Sequence, residues 1–235
     1  MTFIVSIGPE IDVVAQTDPH QNPDRYRAVL SGLQSTAAVI AHEGHQEGVA
    51  VELTPLGSRT FVGMPARELW DRSHEFEDVV GRIGAELWER MQQSGPWEER
   101  FATCDEVLLR LRREDEVAPE LRVSWTELVS SGGRITVEGL ASETGYSRQH
   151  LTRRFRDEFG LSPKLAARVI RFEHARKMLQ SVPSFVTLAQ VSASAGYYDQ
   201  AHMYRDFAEL AGCTPKELLT EEVPFFQEES EPHPS

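Results

Sequence analysis

The chain has 235 residues, of which 40% are hydrophobic and 26% charged, and a formal net charge of −13. That length allows two modest domains or one large one, and the composition is that of a globular protein with enough apolar residues for a core. No run approaches the roughly 20 apolar residues of a membrane span, and "MTFIVSIGPEID" at the start lacks the basic segment and long apolar run of a secretory leader. The two cysteines, Cys104 and Cys213, form no metal or redox spacing, so a reduced, cytoplasmic setting is expected.

The first sixty or so residues predict strands. "TFIVSI" and "EIDVVAQ" are β-branched apolar runs parted by the turn signal Gly8-Pro9, and "YRAVLSG", "STAAVIA" and "GVAVELT" follow. Five short strands imply a small, partly closed β-unit. From Met64 the period changes: Pro65 can open a short helix "ARELWDR", and Val80, Ile83, Leu87 and Met91 then recur at helical spacing, as do Phe101, Leu108 and Leu111. Gly95-Pro96 breaks these into an antiparallel pair. Residues 1–113 are thus a β-rich and then helical unit suited to sensing or oligomerisation, and the charged stretch "REDEVAPE" (Arg113–Glu120) marks a linker at 114–123. Residues 124–220 are nearly all helical, and 221–235 are an acidic tail expected to be disordered.

The helical part repeats itself. "RRFRDEFGLSPK" aligns with "RDFAELAGCTPK", so that Arg153/Arg205, Phe155/Phe207, Gly160/Gly212 and Pro163/Pro215 stand 52 residues apart. Upstream, Leu140/Val191 and Gly145/Gly196 are offset by 51, which places one inserted residue after the glycine of the second copy. Ser162-Pro163 and Thr214-Pro215 each read as an N-cap followed by proline at the first helical position. In copy one a helix of about 137–144, a turn at Gly145 and a second helix capped by Ser147 make a helix-turn-helix.

On that second helix Leu151, Phe155 and Phe159 form the expected buried stripe, while Gln149, Thr152, Arg153 and Arg156 share another face. A row of hydrogen-bonding side chains near a helix N-terminus is what a recognition helix needs to reach base edges in a major groove. Arg148 precedes the row, and Arg154 completes the cationic cluster. In copy two Met203, Phe207 and Leu210 point inward, whereas Gln200, His202 and Arg205 can point out. Between the copies, "SPKLAARVIRFEHARKMLQS" would form a helix about 28 Å long. Its apolar side holds Leu165, Val169, Phe172 and Leu179. Successive major-groove faces lie about 34 Å apart, so one chain could address two of them.

Charge is distributed to match. Residues 1–123 hold 12 arginines against 22 carboxylates, whereas residues 134–177 hold 10 basic against 5 acidic side chains. Acids beyond a Debye length of about 8 Å are screened, so the local excess of cations governs attraction. Residues 178–219 hold only two basic side chains against four acidic ones, so copy two should add less phosphate affinity. Arginine outnumbers lysine 21 to 3, which suits bidentate contacts to guanine.

"LASETGYSRQHLTRRFRDEFGLSP", the linking "RFEHARKMLQ" and "VSASAGYYDQAHMYRDFAELAGCTP" together resemble the DNA-binding domain of AraC-type transcription regulators over about residues 124–220. The resemblance implies an α+β chain, with a double helix-turn-helix domain behind a β-rich unit. It also implies that Gln149, Thr152 and Arg153 read bases in copy one, and Gln200, His202 and Arg205 in copy two, on double-stranded DNA. Ala208-Glu209 departs from the family's usual lysines and weakens the case for phosphate contacts there.

More loosely, "GLQSTAAVIAHEGHQEGVAVELTPLGSRTFVGMPARELWDR" is similar to a shortened, degenerate cupin-like sensor, with strands of longer relatives missing ahead of it or the start placed downstream. RNA polymerase and a small-molecule effector are further partners that the resemblance admits without identifying. A homodimer through the helices at 76–113 is a further expectation.

No catalytic residue, cofactor or metal is expected. "HEGH" (His42, His45) lacks helical zinc spacing and a third ligand, and reads as a polar loop. Cys104 reads as a buried small hydrophobe, and Trp70, Trp88, Trp97 and Trp125 as core or interface anchors. Two rivals stay open from the residues alone: a metal-dependent enzyme of cupin-like type using His42 and His45, and a protein-interaction module on a helix-turn-helix scaffold.

Overall fold

The computed structural model describes residues 1–93, 95–181 and 187–220, and the tail with Phe225 and Phe226 lies outside them. Among the described residues, seven strands form two antiparallel sheets: β1 (Thr2–Ser6), β2 (Ile11–Ala15), β3 (Asp24–Tyr26), β4 (Ala28–Ser31), β5 (Val39–Ala41), β6 (Gly48–Glu52) and β7 (Ser73–Glu75). One sheet has the order β6-β1-β4-β7 and the other β3-β2-β5. The α+β class is as expected, but the strand count is not. The run "YRAVLSG" is divided between β3 and β4, and β7 is an addition with no apolar run to announce it. Hydrogen bonds to β4 hold β7, which pairs Leu30 with His74.

Strand alternation sorts the side chains of β1. Phe3 and Val5 face one core with Ala28, Leu30 and Val49, while Ile4 packs with Ile11, Val13, Tyr26 and Val29 in a second. The first core is closed by three helices, α1 (Phe76–Val80), α2 (Arg82–Gln93) and α3 (Trp97–Leu111). Helices α2 and α3 are antiparallel, as the break at Gly95-Pro96 predicts, with Glu86 paired to Arg110 and Arg90 to Glu106 across them. Cys104 lies in this core, and burial pushes its thiol up to about 11. The expected short helix after Pro65 is a 3₁₀ turn at Ala66–Leu69, preceded by a π turn at Ser58–Val62.

The helical part continues with α4 (Pro119–Ser130), α5 (Val137–Thr144), α6 (Arg148–Phe159), α7 (Pro163–Ser181), α8 (Leu188–Ser194), α9 (Gln200–Leu210) and α10 (Pro215–Thr220). Residues 119–123 of the expected linker are already helical, because Pro119 stands at the start of α4, where its missing N–H costs nothing. The repeat is structural: α5–α6 and α8–α9 each form a helix-turn-helix, followed by a proline-initiated helix.

Contacts gather the chain into two compact units, Met1–Ile170 and Arg171–Ser235. In the first, Trp125 stacks on Phe155 and tilts onto Phe159, within a core that also holds Leu121, Leu128, Leu140 and Leu151. In the second, Phe172, Ala175 and Leu179 of α7 pack with Val191, Met203 and Phe207. The early part of α7 buries Ala166 and Ala167, with Leu165 and Val169 only half-buried.

Within the first unit, the 3₁₀ and π turns are seated on the C-terminal end of α6. Gly160 takes a φ of 83°, and an added Cβ there would stand 2.9 Å from Cβ of Trp70, so both the backbone and the contact require glycine. Beside it, Arg59 forks onto Glu158 at 2.8 and 3.0 Å and reaches Asp115 at 3.1 Å. The Glu158 side chain is only 9% exposed, so the fork, rather than water, supplies its hydrogen bonds.

Arg59→Ala is therefore expected to destabilise the chain by about 3 kcal/mol in urea unfolding, and Arg59→Ala/Glu158→Gln to recover part of the loss. A loss within error of zero for the single variant would show that the pair is not structural.

Candidate nucleic-acid interface

The second helix of each helix-turn-helix, α6 and α9, begins the same way. Gly145 ends α5 at φ 69°, a left-handed turn that glycine adopts without strain, and Ser147 then caps α6 by accepting the His150 N–H at 3.2 Å. In copy two Asp199 caps α9 by accepting the His202 N–H at 2.7 Å. Capping fixes the first helical residue of each helix, Arg148 and Gln200, and so fixes which side chains follow on each face.

On α6 the apolar stripe is fully buried, and the opposite face stands open. Arg148, Gln149, Thr152, Arg153 and Arg156 line one cleft of about 710 Å³, joined by Val137, Glu138, Asp157 and Lys164. The five residues expected from sequence on this helix are thus brought together. Arg153 lies 3.4 Å from Nδ1 of His150, whose ring meets Tyr146 edge-on at 4.6 Å. Arg154 does not join them. It lines a separate polar cleft of about 360 Å³ with Arg59, Arg67, Glu116 and Glu158, on the side where the N-terminal turns are seated.

The acids in the cleft qualify its charge. Glu138, in the first turn of α5, pairs with Arg148. Its carboxyl is held below its ordinary value, first by a hydrogen bond from its own backbone N–H and then by Arg148. Arg148 is thus tethered at the mouth of the cleft, in an exposed pair that a phosphate can displace.

On α9, Gln200 and Arg205 are exposed, and His202 is half-buried with its ring edge-on to Tyr197 at 5.2 Å. This mirrors Tyr146 and His150 in copy one. The 52-residue register makes His150 the counterpart of His202, and Ala201 and Tyr204 those of Gln149 and Thr152. Neither His150 nor Tyr204 stood out in the sequence, although the register of the repeat was a signal for both. Lys164 and Glu138 were also missed, because they reach the cleft from neighbouring helices.

The other singled-out residues lie elsewhere. His42 and His45 are exposed between β5 and β6, where Nδ1 of His42 accepts the Gly44 N–H at 3.1 Å. Among the described residues no group of three or more His, Cys, Asp or Glu is disposed to hold a metal ion. Trp125 is a core anchor, Trp88 carries Arg27 over its ring at 5.0 Å, and Trp97 is 40% exposed, stacked on Phe101.

Residues 140–221 match the family profile described as a helix-turn-helix domain. The chain is 30% identical over 126 residues to the HTH-type transcriptional regulator GlxA of Rhizobium meliloti (strain 1021), a match covering 54% of this chain and 35% of GlxA. Among solved structures it is similar to ToxT from Vibrio cholerae, with a TM-score of 0.54 at 12% identity, covering 93% of this chain and 89% of that one. ToxT of strain SCE256 with an unsaturated fatty acid bound gives 0.53 at 14%, covering 97% and 89%. At these identities the likeness to ToxT is one of fold.

The tether on Arg148 yields a direct expectation. Glu138→Gln should strengthen duplex binding severalfold and steepen its salt dependence by about one phosphate equivalent, as read by fluorescence anisotropy over a salt series. Unchanged affinity and slope would mean that Glu138 does not restrain Arg148.

Proposed function

We propose that this chain is a sequence-specific regulator of transcription of the AraC type, acting on double-stranded DNA through the helix-turn-helix domain matched at residues 140–221. The observation that carries the reading is the convergence of Arg148, Gln149, Thr152, Arg153 and Arg156 on one open cleft of a helix whose other face is locked in the core.

Gln149, Thr152 and Arg153 meet base edges, with the Arg153 guanidinium suited to the O6 and N7 acceptors of guanine. Arg148, Arg156 and Lys164 meet phosphates and set the register of α6 on the duplex. In copy two Gln200, His202 and Arg205 read a second, weaker block. Two such blocks in one chain replace the pair of subunits that a single helix-turn-helix protein needs to cover two grooves.

The N-terminal unit is a reduced cupin-like sensor in this reading. Support for an effector comes from the fold shared with ToxT, which has been solved with an unsaturated fatty acid bound. Its seat on the end of α6 gives an effector a route to the first recognition helix. Phe101 and Leu109, exposed on α3, suit a homodimer contact, and RNA polymerase is the further partner of a regulator that binds beside a promoter. The chain acts by binding rather than by catalysis. No helix among the described residues is long and apolar enough to cross a membrane, which fits a place beside the DNA in the cytoplasm.

On the duplex that the full chain enriches from a random library, log Kobs should fall linearly with log salt, with a slope of about −0.9 per phosphate neutralised. Arg153→Ala should cost about 1–3 kcal/mol and relax one position of the site. Unchanged affinity and specificity in Arg153→Ala would remove that residue from the readout. Failure to enrich any sequence would count against the reading as a whole.

A further inference from the structure

Copy two differs from copy one by a single inserted residue, and the structure identifies it. The step from turn glycine to helix cap is Gly145 to Ser147 in copy one and Gly196 to Asp199 in copy two. Tyr197 matches Tyr146, since each meets the histidine of its own recognition helix edge-on. The extra residue is therefore Tyr198. It is 94% exposed, the most exposed large hydrophobic side chain among the described residues.

Its backbone is held on both sides. Tyr197 is buried and donates its N–H to the Ser192 carbonyl at 3.0 Å, and the Arg171 guanidinium lies 5.9 Å from its ring centroid. On the other side Asp199 is fixed as the cap of α9. A large aromatic side chain thus stands on a pinned turn, one residue ahead of the cap of the second recognition helix, fully in solvent. A side chain left this far in solvent gains nothing from burial and adds nothing to the core.

Copy two also lacks what copy one offers the DNA backbone. Arg148, Arg156 and Lys164 have as counterparts Gln200, Ala208 and Lys216, so two of three cations are gone. Resting on the DNA-binding reading above, we propose that Tyr198 is the backbone contact of the second recognition helix. Its hydroxyl donates to a phosphate oxygen at the groove edge, and its ring lies along the adjoining deoxyribose. The first residues of a recognition helix enter the groove, so a side chain just ahead of the cap faces the groove wall. Tyrosine is among the side chains that position proteins on phosphates, and an uncharged donor does so without releasing a counterion.

Charge neutrality separates this role from an arginine's. The test uses the full chain, the duplex enriched by the wild type, and anisotropy across a salt series. Tyr198→Ala and Tyr198→Phe should each raise Kd about tenfold, with the salt slope and the thermal midpoint unchanged, whereas Arg156→Ala, which removes a phosphate contact, should flatten the slope. Wild-type affinity in Tyr198→Ala would overturn the contact. Wild-type affinity in Tyr198→Phe alone would overturn the hydroxyl–phosphate bond, and a flattened slope in either would overturn its uncharged character. If these variants bind as wild type while Arg153→Ala is impaired, only the Tyr198 assignment falls. If the wild type enriches no duplex, the DNA-binding reading falls and this inference with it.

Discussion

The rotational phase of α6 depends on three side chains. Leu151, Phe155 and Phe159 are fully buried at successive i+4 positions, and Trp125 lies against the last two. A helix turns 100° per residue, so fixing that stripe fixes every other side chain on the cylinder. Gln149, Thr152, Arg153 and Arg156 face the open side as a geometric consequence. The Ser147 cap then sets where the helix begins, which places Arg148 at its mouth. In copy two Met203 and Phe207 do the same for α9, with Asp199 as the cap.

Electrostatics act on this geometry at short range. The chain carries many more carboxylates than cations, yet two of the acids around α6 are paired. Glu158 is forked by Arg59, and Glu138 takes a single contact from Arg148. The two pairs differ in what they do. The first is largely shielded from water and ties the N-terminal turns to the end of α6, so removing one partner strands a charge. The second is exposed, so exchanging its carboxylate for a phosphate costs little. The same fold thus uses one Arg–Glu pair as a fixed joint and another as a replaceable placeholder.

What could be read in the sequence was what is local. The duplicated glycines, caps and prolines each act within a few residues, so their spacing predicted α5, α6, α7 and α9, and periodicity added the buried stripe of α6. The shared face of Gln149, Thr152, Arg153 and Arg156 followed from helix periodicity alone. What escaped depends on partners distant in the chain. Strand β7 is a polar tripeptide made into a strand by its pairing with β4. Arg154 looked like one of four clustered arginines, but it is one residue past Arg153, a 100° step that turns it toward Arg59 and Arg67. Glu158 is bound by an arginine 99 positions away, which no periodicity encodes. His150 was within reach of the sequence, because the 52-residue register pairs it with His202.

The central claim is that the side chains on the open face of α6, rather than the fold that carries them, choose the DNA sequence. It is tested most directly by selecting from a random duplex library with the wild-type full chain and with a Gln149→Ala/Thr152→Ala/Arg153→Ala variant, which keeps the buried stripe intact. The account predicts an enriched block in the wild type that is lost or degenerate in the variant, at an unchanged far-UV spectrum and thermal midpoint. Recovery of the same block by both proteins would contradict it.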